Sequence, residues 1–218
     1  MSSQKYKILY REGEAEISEK KSRFIAHIAP AQSEEEAQAF VEKIKKQYWD
    51  ARHNCWAYSV GEKQPVLRCS DDGEPSGTAG KPMLEVITGE ELHNVVAVVT
   101  RYFGGTLLGT GGLIRAYTKS TQEGIRESVV IEKCLGQKIS LTCDYTTSGK
   151  IQYLTATDQI PVLDTQYTDM VTFEMIIPIE NLGIAEKKFM EASMGKATLE
   201  KGEEAYFAEI DGEIKILD

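Results

Sequence analysis

The residue types best suited to chemistry in this chain gather in one stretch, Arg101 to Ala116, RYFGGTLLGTGGLIRA. It carries five glycines between Gly104 and Gly112, two aromatics (Tyr102 and Phe103) and, with the residues just beyond it, the cations Arg101, Arg115 and Lys119. The apolar run Val95-Val96-Ala97-Val98-Val99 reads as a buried strand that delivers Arg101, Tyr102 and Phe103 to a turn. An amphipathic helix is predicted from about Leu113, with Leu113, Tyr117, Thr121 and Ile125 four apart on one face. A strand, a glycine turn and a helix start leave backbone N–H groups pointing outward at the positive end of the helix dipole. That is a generic anion site, suited to phosphate, built from Gly104, Gly105, Thr106, Gly109, Thr110, Gly111 and Gly112 with Arg101, Arg115 and Lys119 around it. The same glycines also serve turns of positive φ and close helix–sheet contact in the absence of any ligand.

Two named phosphate loops are excluded. A Walker loop needs lysine where Thr110 stands, although Gly104 to Gly109 fits its first part. The dinucleotide fingerprint fails because Gly109-Thr110-Gly111 is followed by Gly112-Leu113-Ile114. ATP hydrolysis and NAD binding are therefore not expected. Aromatics beside cations, by contrast, suit an exposed RNA base and its phosphates. The competing reading has Tyr102 and Phe103 plugging the core while Arg101 pairs with Asp71 or Asp72.

A second polar stretch, Cys69-Ser70-Asp71-Asp72-Gly73-Glu74-Pro75-Ser76-Gly77-Thr78-Ala79-Gly80, is a loop by composition. Asp71, Asp72, Glu74, Ser76 and Thr78 form a candidate rim to the site. The three carboxylates resemble hard-metal ligands, yet no further partner carboxylate is identifiable, and a solvated acidic turn is the simpler expectation. Ser76 to Gly80 could also begin a short helix that adds N–H donors beside the glycine turn. No metal and no cofactor is expected.

Nucleophilic catalysis finds little support. The three histidines are His27, His53 and His93. His27 alternates with apolar neighbours and is expected to be structural, whereas His93 is expected at the surface. His53 and Cys55 would share one face of a strand, but no orienting group accompanies them. HExxH and GxSxG motifs are absent, and the four cysteines never form C-x-x-C. No catalytic residue is assigned.

The elements that must position these residues follow from pattern. Two strands, Tyr6–Ile17 and Arg23–Ala29, open the chain. Ser33 with Glu36 fits a capping box, and Ala37, Phe40, Val41 and Ile44 keep helical spacing to about Tyr48. His53–Val60 and Pro65–Cys69 read as strands joined by the turn GEKQ. After the helix from Leu113, Ser128–Cys143 reads as extended, with a domain boundary dividing 1–132 from 133–218. The remainder alternates strand, helix, strand, strand, helix, strand, near Gly136–Cys143, Thr147–Thr157, Ile160–Tyr167, Met170–Ile179, Leu182–Ser193 and Ala197–Ile210. Two helices on one face of a four-stranded antiparallel sheet is the ferredoxin-like plan, so the class is α+β.

The 218 residues carry a net charge of −9, of which −2 falls in residues 1–132 and −7 in 133–218. Such a balance argues against coating nucleic acid by bulk electrostatics and leaves room for a local basic site on the first half. No apolar run of about 18 residues and no signal-like start is present, so a cytoplasmic protein without membrane contact is expected.

The chain resembles the YigZ/IMPACT family in its bacterial two-domain form. The resemblance rests on Gly80, Met83-Leu84, Ile87, Leu92, Val98-Val99 and the run Arg101 to Gly109, preceded by Ser70-Asp71-Asp72-Gly73-Glu74-Pro75. It implies a first domain like ribosomal protein S5 domain 2 and a ferredoxin-like second domain, both shared with a translocating elongation factor. Eukaryotic relatives look like translation regulators that bind the activator of an amino-acid-starvation kinase. They do so partly through an RWD domain that these residues do not include, and the shared part is the segment before about Glu132. The expectation is a translation-associated binding protein whose partner is RNA, the ribosome or a translation-related protein, without DNA specificity. The alternative is an enzyme acting on a small phosphorylated or nucleotide ligand at the same turn.

Overall fold

The computed structural model describes residues 5–217. The chain divides into two compact units, residues 1–131 and 132–218. In chain order the first contains β1 (Lys5–Arg11), β2 (Gly13–Glu19), β3 (Ser22–Pro30), α1 (Glu34–Gln47), β4 (His53–Val60), β5 (Val66–Ser70), α2 (Gly80–Gly89), β6 (Leu92–His93), β7 (Val95–Tyr102) and α3 (Thr110–Arg126). A long strand, β8 (Val129–Cys143), then leads into the second unit.

The first unit is built on an antiparallel sheet of order β2-β3-β7-β4-β5. Central β7 has no polar side because helices cover both faces of the sheet. Val95, Ala97 and Val99 pack with Met83 and Ile87 of α2 and with Leu113, Ala116 and Tyr117 of α3. Val96 and Val98 pack on Ala37, Val41 and Ile44 of α1. A strand buried on both faces reads as a continuous apolar run. α1 begins where its cap dictates: Ser33 Oγ accepts the Glu36 N–H at 3.2 Å. Acidic residues fill its first turn and lysines its last, matching the helix dipole.

Several expected bounds move. Tyr6–Ile17 is two strands, with Glu12 between the end of β1 and the start of β2. β1 runs parallel to β6, with Lys7 opposite Leu92, whereas β2 pairs with β3. The helix expected from Leu113 starts at Thr110. The helix weighed at Ser76–Gly80 begins at Gly80 and runs to Gly89, with Met83, Val86 and Ile87 buried at helical spacing.

In the second unit β8 is followed by α4 (Tyr145–Thr157), β9 (Val162–Tyr167), β10 (Val171–Pro178), α5 (Leu182–Ala192), β11 (Thr198–Ile210) and β12 (Glu213–Leu217). The sheet order is β9-β10-β8-β11-β12, every neighbouring pair antiparallel. Ile139 and Leu141 of β8 and Phe173 and Met175 of β10 bury against Ile151 of α4 and Phe189 of α5, so the helices share one face. The edge strand β12 was not anticipated. Its signal is Asp211-Gly212, a two-residue turn with φ of 54° and 80° at the two positions. No helix among the described residues is long and apolar enough to cross a membrane.

The packing of α3 on β3 depends on Gly124. A Cβ there would lie 2.7 Å from Ile28 Cγ1 and 3.0 Å from Ala26 Cβ. Gly124→Ala is expected to destabilise the first unit by about 1–3 kcal/mol through overpacking, read as a lower midpoint in denaturant.

Candidate functional site

Strand alternation decides where Arg101 goes. It is in phase with Val95, Ala97 and Val99, so its side chain enters the layer under α2 and α3. There its guanidinium Nη1 donates to Glu74 Oε1 at 2.6 Å, with 8% of the arginine side chain and 3% of the glutamate side chain exposed. The Tyr117 hydroxyl of α3 donates to the same Oε1 at 2.9 Å. Phe24 and Phe103 rings flank the guanidinium at 5.4 and 5.7 Å. Arg101 is thus a buried clamp on Glu74. It pairs with neither Asp71 nor Asp72, and it is withdrawn from the surface where an anion would be met.

The carboxylates of the rim are likewise committed. Asp71 accepts from Gly77 N at 2.8 Å and from Ala79 N and Gly80 N at 2.9 Å each, so it caps α2 from a distance. Burial alone would raise its pKa, but the three N–H bonds prevail and hold it below the usual aspartate value. Asp72 accepts from Lys45 Nζ at 2.9 Å and from Asn54 N at 2.7 Å. Thr78 Oγ1 donates to the Pro75 carbonyl at 2.7 Å, and Ser76 is exposed. The 71–80 segment is therefore a self-bonded loop rather than a solvated rim.

The glycine turn itself is open. Gly104 must be glycine, because a Cβ would fall 2.0 Å from the Lys21 carbonyl carbon. Its N–H donates to Ser22 Oγ at 3.1 Å, which seats the turn on the hairpin between β2 and β3. Gly109 precedes α3 with φ 71° and supplies no side-chain cap, and the first helical turn holds no acidic residue. The first intrahelical bond is Leu113 N to Gly109 O at 3.0 Å, which leaves the N–H groups of Thr110, Gly111 and Gly112 without intrahelical acceptors. Gly105, Thr106, Gly109, Thr110 and Gly111 are exposed, and Gly112 is buried against Leu108. Arg115 is exposed one turn into α3. Lys119, also exposed, sits in a depression lined by Glu14, Glu16, Glu123 and Glu127, which weakens it as an anion contact.

The remaining candidates are structural. Burial pushes the Cys55 thiol up, and its Sγ lies 2.9 Å from the Asp71 carbonyl oxygen, so it is no thiolate nucleophile. His53 Nδ1 lies 2.9 Å from the Asp72 carbonyl oxygen. His27 is 5% exposed beside Glu14, and burial lowers its pKa despite that carboxylate. His93 is half-buried on Gly61 rather than at the surface. Phe103, 51% exposed, does not plug the core, and Tyr102 donates to Asp50 Oδ1 at 2.8 Å. The Glu74–Arg101–Tyr117 cluster went unread in the sequence, where the phase of Arg101 with the β7 valines is its signal.

Two outcomes follow from these bonds. Glu74→Gln leaves a buried guanidinium without its counter-charge and is expected to cost about 3–5 kcal/mol in denaturant titration. Asp71 has a folded pKa below its ordinary 3.8, so its stabilisation is present above that value and is lost as pH falls through the folded value. Asp71→Asn is expected to lower the melting temperature at neutral pH. The gap to wild type should close in a pH series carried below 3.8, the ordinary aspartate value.

The Impact N-terminal domain matches residues 20–125, and a domain of unknown function (DUF1949) matches residues 141–196. The IMPACT family member YvyE of Bacillus subtilis is 44% identical over 203 residues, covering 93% of this chain and 94% of YvyE. Protein IMPACT of Xenopus laevis is 37% identical over 98 residues, 43% of this chain and 31% of that protein. A solved structure described only as a hypothetical protein is 34% identical, covers 90% of this chain and 97% of its own, and has a TM-score of 0.59. Because the likeness to YvyE spans both units at that identity, the chain belongs to the IMPACT family.

Proposed function

We propose that this chain is a translation-associated regulatory binding protein, acting in the cytoplasm, that contacts RNA, the ribosome or a ribosome-linked protein through the glycine-rich turn of its first unit. Membership of the IMPACT family supports the translation-regulatory role. The observation that carries the contact is the exposed, uncapped start of α3, where Thr110 and Gly111 offer N–H donors beside Arg115. Gly104, Gly105, Thr106 and Gly109 shape that surface, and Arg101 supports it from below. The finer fold reading is part of the same proposal: a first unit like ribosomal protein S5 domain 2 and a ferredoxin-like second unit. The order β9-β10-β8-β11 supports the latter, since it places the second, third, first and fourth strands side by side. An enzymatic reading would draw acid–base or metal-ligand groups from Asp71, Asp72 and Glu74. All three are bonded within the protein, which favours binding over catalysis.

The test is co-sedimentation with ribosomes across a salt series, beside Thr110→Glu and Arg115→Ala. A carboxylate at the first helical position favours the α3 dipole by roughly 0.3–1 kcal/mol, so Thr110→Glu should melt at or above the wild-type temperature. The same carboxylate repels an anionic partner, and co-sedimentation should weaken several-fold in both variants. Wild-type protein that fails to sediment at every salt concentration would overturn the RNA and ribosome reading.

A further inference from the structure

Trp49, in the turn after α1, is 82% exposed. A tryptophan offers roughly 150–250 Å² of surface to bury, and here almost none of it is used by the fold. Contacts place it at the same end of the first unit's sheet as the glycine turn. The Tyr102 hydroxyl on Asp50 Oδ1, at 2.8 Å, ties the turn carrying Trp49 to the end of β7. Phe103, 51% exposed, comes next, and the bond from Gly104 N to Ser22 Oγ at 3.1 Å ties the chain to the β2–β3 hairpin. The register sets Arg23 opposite Tyr102 and His53 opposite Arg101, so β3 and β4 begin where β7 ends. Three exposed cations stand at this end: Lys20 and Lys21 in the hairpin turn, and Arg52 ahead of β4. None of the three has a carboxylate partner among the described residues.

We infer that this end of the first unit binds single-stranded RNA, with one base stacked on the Trp49 indole, another on Phe103, and backbone phosphates on Lys20, Lys21 and Arg52. The inference rests on the reading above that the partner includes RNA, and adds the residues and the strandedness. Flat aromatic faces flanked by unpaired cations match the two parts of an unpaired nucleotide, its base and its phosphate. A protein–protein interface shares exposed aromatics and arginine but is depleted of lysine, so Lys20 and Lys21 favour the nucleotide. Stacking of this kind is tolerant of sequence, since every base has a π-face.

The experiment is a fluorescence titration. Of the two tryptophans, Trp56→Phe leaves Trp49 as the reporter. Oligouridylate and oligoadenylate 12-mers (about the 4–16 nucleotides of one binding fold) are compared with duplex RNA over a salt series. Expected are quenching by the single strands alone and binding that weakens with salt. Trp49→Ala, which lacks the reporter and is followed by the anisotropy of a fluorescently labelled oligonucleotide beside wild type, should lose affinity about ten-fold, within the range of base–aromatic stacking. The double variant Lys20→Asn/Lys21→Gly should reduce the salt slope by about 1.4, two single-strand phosphate contacts. It should also melt higher, because Lys20 and Lys21 hold φ of 46° and 66° where Asn-Gly is preferred.

Wild-type protein that binds no oligonucleotide, or Trp49→Ala that binds as tightly as wild type, overturns the inference. Ribosome co-sedimentation of the same variants separates the two readings. If Trp49→Ala sediments normally while Thr110→Glu does not, the inference falls and the proposed function stands. If no form sediments, the proposed function falls as well. Loss of co-sedimentation in Trp49→Ala without oligonucleotide binding would assign the surface to a protein partner and overturn RNA.

Discussion

The first unit is organised by one buried ion pair, Arg101 with Glu74. Two charges taken out of water cost several kcal/mol each, and the pair is tolerable because its geometry is close and the carboxylate accepts a further bond. The Tyr117 hydroxyl completes the carboxylate, and two aromatic rings enclose the guanidinium. Three separate segments must therefore arrive together: the end of β7, the loop before α2 and the middle of α3. Asp71 reinforces this by holding the first N–H groups of α2, while its carbonyl accepts the Glu74 N–H at 2.9 Å. Burial also raises the Tyr117 pKa, which keeps its proton available for Glu74.

This arrangement separates support from contact. The carboxylates that a polar loop of this composition offers are turned inward and bonded. What faces water at the glycine turn is backbone N–H, small side chains and Arg115, with Phe103 and Leu107 (83% exposed) beside them. The turn can therefore be neutral or positive in a chain whose net charge is −9, because most of the excess negative charge lies after residue 132. Local field, rather than net charge, governs an encounter within a Debye length of about 8 Å.

Much of the architecture was legible because its causes are local. The apolar run of β7 and the Ser33 cap of α1 each report a neighbourhood of a few residues. The alternation in the second unit likewise marked the strands and helices of the βαββαβ order. The parting of β1 from β2 was not legible: both strands read as extended, and only pairing, with β6 and β3 respectively, tells them apart. α2 was visible only at its start, since its short apolar pattern follows a loop whose cap, Asp71, stands eight residues before the Ala79 N–H that it holds.

The site divides along the same line. Composition alone identified Arg101 to Ala116 as the stretch with most chemical potential, because glycines, aromatics and cations in that spacing constrain a backbone whatever surrounds it. Which of those groups meets solvent was decided by tertiary structure. Arg101 left the surface because Glu74, 27 residues away, offers it a buried counter-charge. Trp49 and the Lys20–Lys21 turn joined the surface through contacts of Asp50 and Ser22 with residues 52 and 82 positions distant. Sequence spacing carries the preferences of a short segment, whereas burial and charge pairing depend on which distant segments the packed sheet brings alongside it.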